Sequence, residues 1–331
     1  MRKSLFFILS VLLIAILFFF DISVGSSGLG LREVARVIFG GTASEEERAI
    51  ILEIRTVRAL TALFAGIATA VSGLLIQTLF RNPLAGPHLL GVNSGASLGA
   101  AIWVLGVPLG AVGGSGFFVN AGLAGSAWIG AFVVLVIVWM VSRRMNDIMT
   151  VLILGMMFSC AVDSVVQLLQ YLSDGASLKS YVLWTMGSLG SLSSEKLPFL
   201  ILSVLAGLVI ARLSVKSLNM LLLGEEYAVS MGMSVKRVRL VIYVAIVLLA
   251  GTVTAFCGPV GFIGLASPHI ARLFLSDGDH SSLLPATALC GAAILLVCDI
   301  ISRRFGLPVN VLTSLFGVPV VILIVLKFRR S

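Results

Sequence analysis

The sequence predicts an all-α polytopic membrane protein with ten transmembrane helices in a single domain over residues 1–331. Three observations carry this reading. Of 331 residues, 59% are hydrophobic and 11% charged, against about 45–50% and about 25% in soluble domains. Mean hydropathy is +1.11. Charge-free runs long enough to span a bilayer recur from one end of the chain to the other. Such a chain is not a soluble enzyme or a disordered segment. The net charge of +8 comes from 23 Lys and Arg scattered through loops, without the basic face that nucleic acid requires.

A spanning helix needs about 20 mainly apolar residues. Residues 4–20 and 59–80 are the first two spans, the second closed by Arg58 and Arg81. Between Asn82 and Ser142 there is no Asp, Glu, Lys or Arg. The glycine-rich stretch 106–125 divides this run into spans 89–105 and 126–141. Spans 150–172 and 197–213 come next. The run after them contains Cys257-Gly258-Pro259-Val260-Gly261, a helix-breaking turn that separates span 240–257 from a short span 262–275. Spans 283–301 and 308–326 complete the ten. Met1-Arg2-Lys3 ahead of an apolar run resembles a secretion signal, but no clean small-x-small cleavage site follows. A retained first span is expected.

Alternation of ten spans makes orientation a question of charge. With the N-terminus inside, 14 Lys and Arg fall inside and 9 outside, so the positive-inside rule favours N-in and C-in. Four cysteines, Cys160, Cys257, Cys290 and Cys298, sit in apolar stretches without metal-ligand spacing. We expect neither a disulfide framework nor a metal site.

Two spans carry polar faces. Ser159, Asp163, Gln167 and Gln170 recur at i, i+4, i+8 and i+11, one side of a helix. Asn310, Thr313, Ser314 and Gly317 make a second such face. Small and polar residues hold spans together, and a carboxylate within a span must face protein or water. Helix–helix contact and a translocation pathway are both open for these faces. The longest inside segment, 214–239, contains Gly224 followed by Glu225 and Glu226, the acid-first pattern of a helix N-terminus, and Gly232 suits its end. This short helix is a surface helix or a handle for a partner.

The chain has no P-loop and no H-E-x-x-H. An intramembrane enzyme is therefore a weak reading. An ion-coupled transporter would need intramembrane carboxylates, of which Asp163 qualifies and Asp299 lies near a span end.

Several motifs coincide in order. Arg55-Thr56-Val57-Arg58 precedes span two, and Arg81-Asn82-Pro83-Leu84-Ala85-Gly86-Pro87 closes it. Leu90-Gly91-Val92-Asn93-Ser94-Gly95-Ala96, Trp184-Thr185-Met186-Gly187-Ser188 and Leu223-Gly224-Glu225-Glu226-Tyr227-Ala228 come next. Gly258-Pro259-Val260-Gly261-Phe262-Ile263-Gly264-Leu265-Ala266-Ser267-Pro268-His269-Ile270-Ala271-Arg272 joins spans seven and eight, and Asp299-Ile300-Ile301-Ser302-Arg303 ends span nine. Together they closely resemble the FecCD family, permease subunits of ABC importers for ferric siderophores, haem and cobalamin, over nearly the whole chain. Two departures stand out. Thr56-Val57 replaces the usual Leu-Pro, and Pro308-Val309-Asn310 replaces the usual Pro-x-Gly.

The resemblance implies a type II ABC importer permease fold and a transport role without enzymatic activity in this chain. No cofactor is expected here, since ATP and Mg belong to a partner ATPase. It implies a second permease copy or paralogue, two ATPase subunits, an extracytoplasmic binding protein and a place in a bacterial or archaeal cytoplasmic membrane. Ferric siderophore is the commonest cargo of the family, with haem, cobalamin or an oxyanion such as molybdate as alternatives. It assigns Arg55, Arg58 and Arg303 to docking of the binding protein. Gly224, Glu225, Glu226, Tyr227, Ala228, Met231 and Gly232 fall to ATPase coupling. Separately, Pro83 and Pro87 cannot both continue a helix, so the loop after Arg81 is irregular backbone at the inside mouth, and Asn82, Pro83 and Leu84 there are an inner gate or a plain turn. The two polar faces would line the route. The resemblance also implies pseudo-twofold symmetry between spans two to five and seven to ten, echoed in Leu84-Ala85-Gly86-Pro87-His88-Leu89 and Leu265-Ala266-Ser267-Pro268-His269-Ile270.

Overall fold

The computed structural model describes residues 2–25, 28–87, 91–106, 116–145, 148–275 and 278–328. Among these every regular element is a helix. Helix α1 is Arg2–Ser23. Two short helices, α2 (Leu31–Ile38) and α3 (Glu45–Ala49), lie in the loop after it. A capping box between Ser44 and Glu47 starts α3, and a wide π-type turn over Ile50–Arg55 runs it into α4 (Thr56–Leu79). Then come α5 (Val92–Gly106), α6 (Gly116–Arg144), α7 (Ile148–Leu172), α8 (Gly175–Thr185) and α9 (Leu197–Leu213). The inside segment holds α10 (Val215–Leu222) and α11 (Glu225–Ser230). The helix Val235–Cys257 consists of α12 (Val235–Ile246), a π-type turn and α13 (Thr252–Cys257). Helices α14 (Ile263–Phe274), α15 (His280–Phe305) and α16 (Val309–Phe328) close the chain.

Each expected span coincides with a helix, but lengths alone give fewer than ten crossings. Six described helices are long and apolar enough to cross a membrane, and α9 with α10 forms a pair bent by 54° that would make a seventh. Helices α5, α14 and α16 are shorter in their described apolar extent. The expected start of span three at Leu89, and His88-Leu89 of the internal echo, lie outside the described residues.

Three boundaries differ from expectation for physical reasons. Helix α6 begins ten residues before the expected 126, because part of the glycine-rich stretch is a contact face. A Cβ on Gly122 would lie 2.0 Å from the Trp103 ring. The seventh span begins at Val235, taking in Lys236, Arg237 and Arg239, since Arg239 finds a carboxylate partner. Span nine begins at His280, where Asp279 accepts from the Ser281 N–H and caps it. Helices α2, α3, α8 and α10 have no counterpart among the expected elements.

Lipid tails are as apolar as leucine, so helices in a bilayer associate by close packing of small residues. Helix α4 does this on two sides and is the most buried of the long spans. Gly66 meets α15 at Gly291, where a Cβ would lie 2.4 Å from the Gly291 carbonyl oxygen. Gly73 meets α14, where a Cβ would lie 1.8 Å from the Gly264 carbonyl oxygen. Helices α5 and α6 repeat the device through Gly95, Gly99 and Gly130.

Gly73→Ala should therefore destabilise the fold by roughly 1–3 kcal/mol, the usual cost of overpacking. Gly125→Ala, where a Cβ meets nothing within 4 Å, should be neutral. Thermal unfolding of the purified protein in detergent tests this. Equal midpoints for the two variants would refute the close-contact account of α4.

Candidate functional site

The residues singled out by sequence gather at the two ends of the α4 bundle and on the outer faces of α7 and α16. At the first end, Arg58 Nε donates to both Asp299 oxygens at 2.9 and 3.0 Å, and its Nη2 donates to Asp299 Oδ1 at 2.7 Å and Ser302 Oγ at 3.3 Å. Arg303 Nε lies 3.5 Å from Asp299 Oδ2, and its Nη1 donates to the Asp21 and Val24 carbonyls at 2.5 and 2.9 Å. Arg55 Nη1 donates to the carbonyls of Ile22, Ser23 and Leu29 at 3.0, 3.3 and 2.9 Å. The turn after α1 thus wraps one guanidinium and is pinned by another.

This corrects the expectation of three exposed arginines. Arg55 is 4% exposed and the Arg303 side chain 7%, while Arg58 keeps 24%. Arg58 and Arg303 are drawn inward by the fully buried Asp299 and Asp21, since buried carboxylates require nearby cations, while Arg55 is held by backbone carbonyls. Removing one partner of such a pair costs about 3–5 kcal/mol.

At the opposite end, α4 stops in a Schellman cap. Arg81 N–H bonds the Thr78 carbonyl and Asn82 N–H the Gln77 carbonyl. Arg81 sits at the left-handed position with φ 46°, where glycine is the usual residue. Such a conformation costs a non-glycine residue about 1–3 kcal/mol. The loop beyond the cap is stiff. Asn82 Oδ1 accepts from the Leu84 N–H at 2.9 Å, and His269 Nε2 on α14 lies 2.8 Å from the Pro83 carbonyl oxygen. Arg272 Nη1 donates to Gln77 Oε1 at 2.9 Å, and Gln77 Nε2 donates to the Leu265 carbonyl at 3.2 Å. Leu84 is exposed. The expected gate residues Asn82, Pro83 and Leu84 thus occupy irregular backbone at a helix end, which membranes tolerate beside protein or water.

Helix α11 lies beside this loop. Gly224 takes φ +114° ahead of it and Gly232 φ +84° after it, as expected for its two ends. Glu225 accepts from Arg239 Nη2 at 2.6 and 2.7 Å. Tyr227, Val229 and Met231 are exposed, but Ala228 is fully buried. A partner does not approach through Ala228, which packs inward and whose carbonyl accepts from Met233. A cleft of about 1140 Å³ separates α11 from the α4 cap, lined by Arg81, Gly224, Glu225, Glu226, Tyr227 and Arg239 among others.

Sequence reading missed the link from α10 to α4. His280 backbone N–H and Nδ1 both contact Asn219 Oδ1, at 3.0 and 2.8 Å, and His280 Nε2 lies 2.7 Å from the Thr78 hydroxyl. Asn219 Nδ2 donates to Asp279 Oδ1 at 2.6 Å. The Ser281 backbone and hydroxyl, with Asn219, hold the Asp279 carboxyl down at about 2. A lone His after an Asp in a loop offered no sign of its partner Thr78, 202 residues away.

The two polar faces fare differently. On α7, Asp163 and Gln167 are exposed and Ser159 and Gln170 half-buried. On α16 only Asn310 and Ser314 open outward, into a cavity of about 600 Å³ with Thr185, Met186 and Leu315. Thr313 is 1% exposed and Gly317 rests against Phe262. Both turn toward α14, so they do not line a route; helical twist puts them on the side that the short α14 covers. Helix α7 packs on α5 and α6, whereas α16 packs on α14 and α15. Among the described residues α7 and α16 do not pack closely on one another.

This arrangement is an apolar helical bundle with helices long enough to cross a membrane, a short helix beside a cleft at one end of α4, and polar residues on α7 and α16. Comparison with known proteins identifies the class. The FecCD transport family matches residues 12–327, and the chain belongs to that family of ABC importer permeases, with the type II importer permease fold. It is 33% identical to the hemin transport system permease protein HmuU of Yersinia pestis, covering 94% of this chain and 93% of that one. It is 32% identical to the molybdate import system permease protein MolB of Haemophilus influenzae, covering 97% and 95%. A solved inward-facing structure of a putative metal-chelate type ABC transporter superposes with a TM-score of 0.85 at 31% identity, covering 98% of this chain and 99% of that one.

Asp299→Asn should lower stability by about 3–5 kcal/mol, because Arg58 then loses its carboxylate partner and Arg303 keeps only Asp21, 3.9 Å away. Replacing Arg58 and Asp299 together by Met and Leu should cost less than the single change. Unfolding midpoints of the three proteins check this. A double variant no better than Asp299→Asn would overturn the pairing account.

Proposed function

We propose that this chain is the permease subunit of an ATP-driven importer that passes a metal chelate, a ferric siderophore in the first instance, from an external binding protein to the cytoplasm by alternating access. The observation that carries the proposal is the exposed Asp163–Gln167 face on an otherwise apolar α7. A carboxylate facing lipid would cost several kcal/mol, so this face requires protein or water. A bulky hydrated cargo suits scattered amides and hydroxyls better than one tight charged site. Asn310 and Ser314 would extend the route at its outer mouth, beside α8.

Its partners would be a second permease, identical or paralogous, two ATPase subunits and the binding protein. The surface organised by Arg55, Arg58 and Arg303 would receive the binding protein, with Arg58 the most accessible. The exposed Tyr227, Val229 and Met231 of the α11 segment, with Glu226, would form the ATPase handle, and Asn82, Pro83 and Leu84 the inner gate. The hemin and molybdate systems of the two relatives make haem and oxyanions the competing cargoes.

Reconstituted with its cognate ATPase and binding protein, the permease should take up radiolabelled ferric siderophore only with ATP. Hemin or molybdate uptake with no ferric uptake would replace the cargo, and ATP-independent uptake would sink the importer reading. Gln167→Trp should cut the uptake rate at least about tenfold by narrowing the route, and Gln167→Leu less. If neither changes uptake, the α7 face is a packing contact only. Tyr227→Ala with Met231→Ala should lower binding-protein-stimulated ATPase activity while leaving the permease in the membrane; undiminished stimulation would remove the handle assignment.

A further inference from the structure

The α4 cap and α11 face each other across the cleft with one unpaired charge each. Glu225 is committed to Arg239, whereas Arg81 and Glu226 have no hydrogen-bond or ion-pair partner among the described residues, and both line the cleft. The Arg81 guanidinium already reaches α11: a Cβ on Gly224 would lie 3.8 Å from Arg81 Nη1. Arg81 also holds the left-handed position of the cap, φ 46°, which glycine would occupy without strain. A side chain retained there against backbone preference is one whose reach is used, and strain of this kind gathers at switch regions.

The loop after Arg81 gives that reach its meaning. The Asn82–Leu84 backbone is tied by the Asn82 side chain and held to α14 through His269 and Pro83, so the loop moves as a unit. We propose that Arg81 is the positioning residue that carries motion of α11 to the inner gate, by closing an ion pair with Glu226 in one of the transport states. The two charges are opposite, unpaired and separated by a cleft whose width the position of α11 sets. This inference rests on the reading of α11 as the ATPase handle and of Leu84 as part of the gate.

The test uses the whole importer, permease with its cognate ATPase and binding protein, carrying Leu84→Cys in a Cys160→Ser background, since Cys160 is the one exposed native thiol among the described residues. Maleimide labelling of position 84 is compared without nucleotide and with ATP plus vanadate. Arg81→Gly is the decisive variant. It relieves the cap strain and should be at least as stable as the parent, yet its nucleotide-dependent change in labelling should shrink by about fivefold, the scale of one part-exposed ion pair. Glu226→Gln should do the same, the labelling being compared at equal amounts of bound ATPase. The exchange Arg81→Glu with Glu226→Arg should restore most of the response. A parental response retained in both single variants overturns the strut, as does a loss in both that the exchange leaves unrepaired. No nucleotide response in the Leu84→Cys parent overturns the gate reading itself.

Discussion

Helix α4 can occupy only one register, and the polar chemistry at both of its ends depends on that. Lipid supplies no hydrophobic push between helices, so α4 is held by contact at Gly66 and Gly73, where neighbouring backbones lie too close for a side chain. A one-residue shift would turn the helix by about 100° and move it about 1.5 Å. That shift would take Arg58 off Asp299 at one end and Gln77 off Arg272 at the other. Two glycine contacts in the middle of the bilayer thereby set the polar contacts at both membrane faces.

The buried charges at the first end fix geometry that a purely apolar seam would leave loose. Arg303 and Arg55 hold the carbonyls of the turn that leaves α1. A hydrophobic contact would let α1, largely exposed along its length, slide against the bundle, whereas directed N–H bonds to named carbonyls fix its height. The same bonds make the surface at this end rigid, so under the proposed docking role the residues that stabilise the turn would also present it.

What was legible in the sequence was what lipid enforces. Runs without charge marked the helices, and Gly224 and Gly232 marked the ends of α11. What was not legible was the facing between helices. The Arg303–Asp299 pair sits at i,i+4 and is legible as such, whereas the carbonyls that hold Arg55 and the Asp21 beside Arg303 belong to the end of α1 and the turn after it, which nothing near either arginine reveals. Ala228 read as a contact for a partner, yet a small residue on a short helix serves equally to let that helix lie down on its own chain. Thr313 and Gly317 share the helical period of Asn310, but the period gives a face, not its neighbour, and α14 takes that side. Helices α2, α3, α8 and α10 escaped notice because hydropathy detects spans, and these are too short or too polar to be spans.

The separation of α7 from α16 bears on how a route can exist at all. The Asp163–Gln167 face looks out from the α5–α6 side of the chain, and the Asn310–Ser314 face from the α14–α15 side. The two faces belong to helices that pack on different neighbours. On the proposed reading, the wall opposite the α7 polar face would come from another subunit. A second permease related by a twofold axis satisfies this with no new residues, since an isologous contact sets each face against its own copy or against the other face. Under the proposed importer reading, the exposed polar helix would line a conduit shared between two copies of the permease.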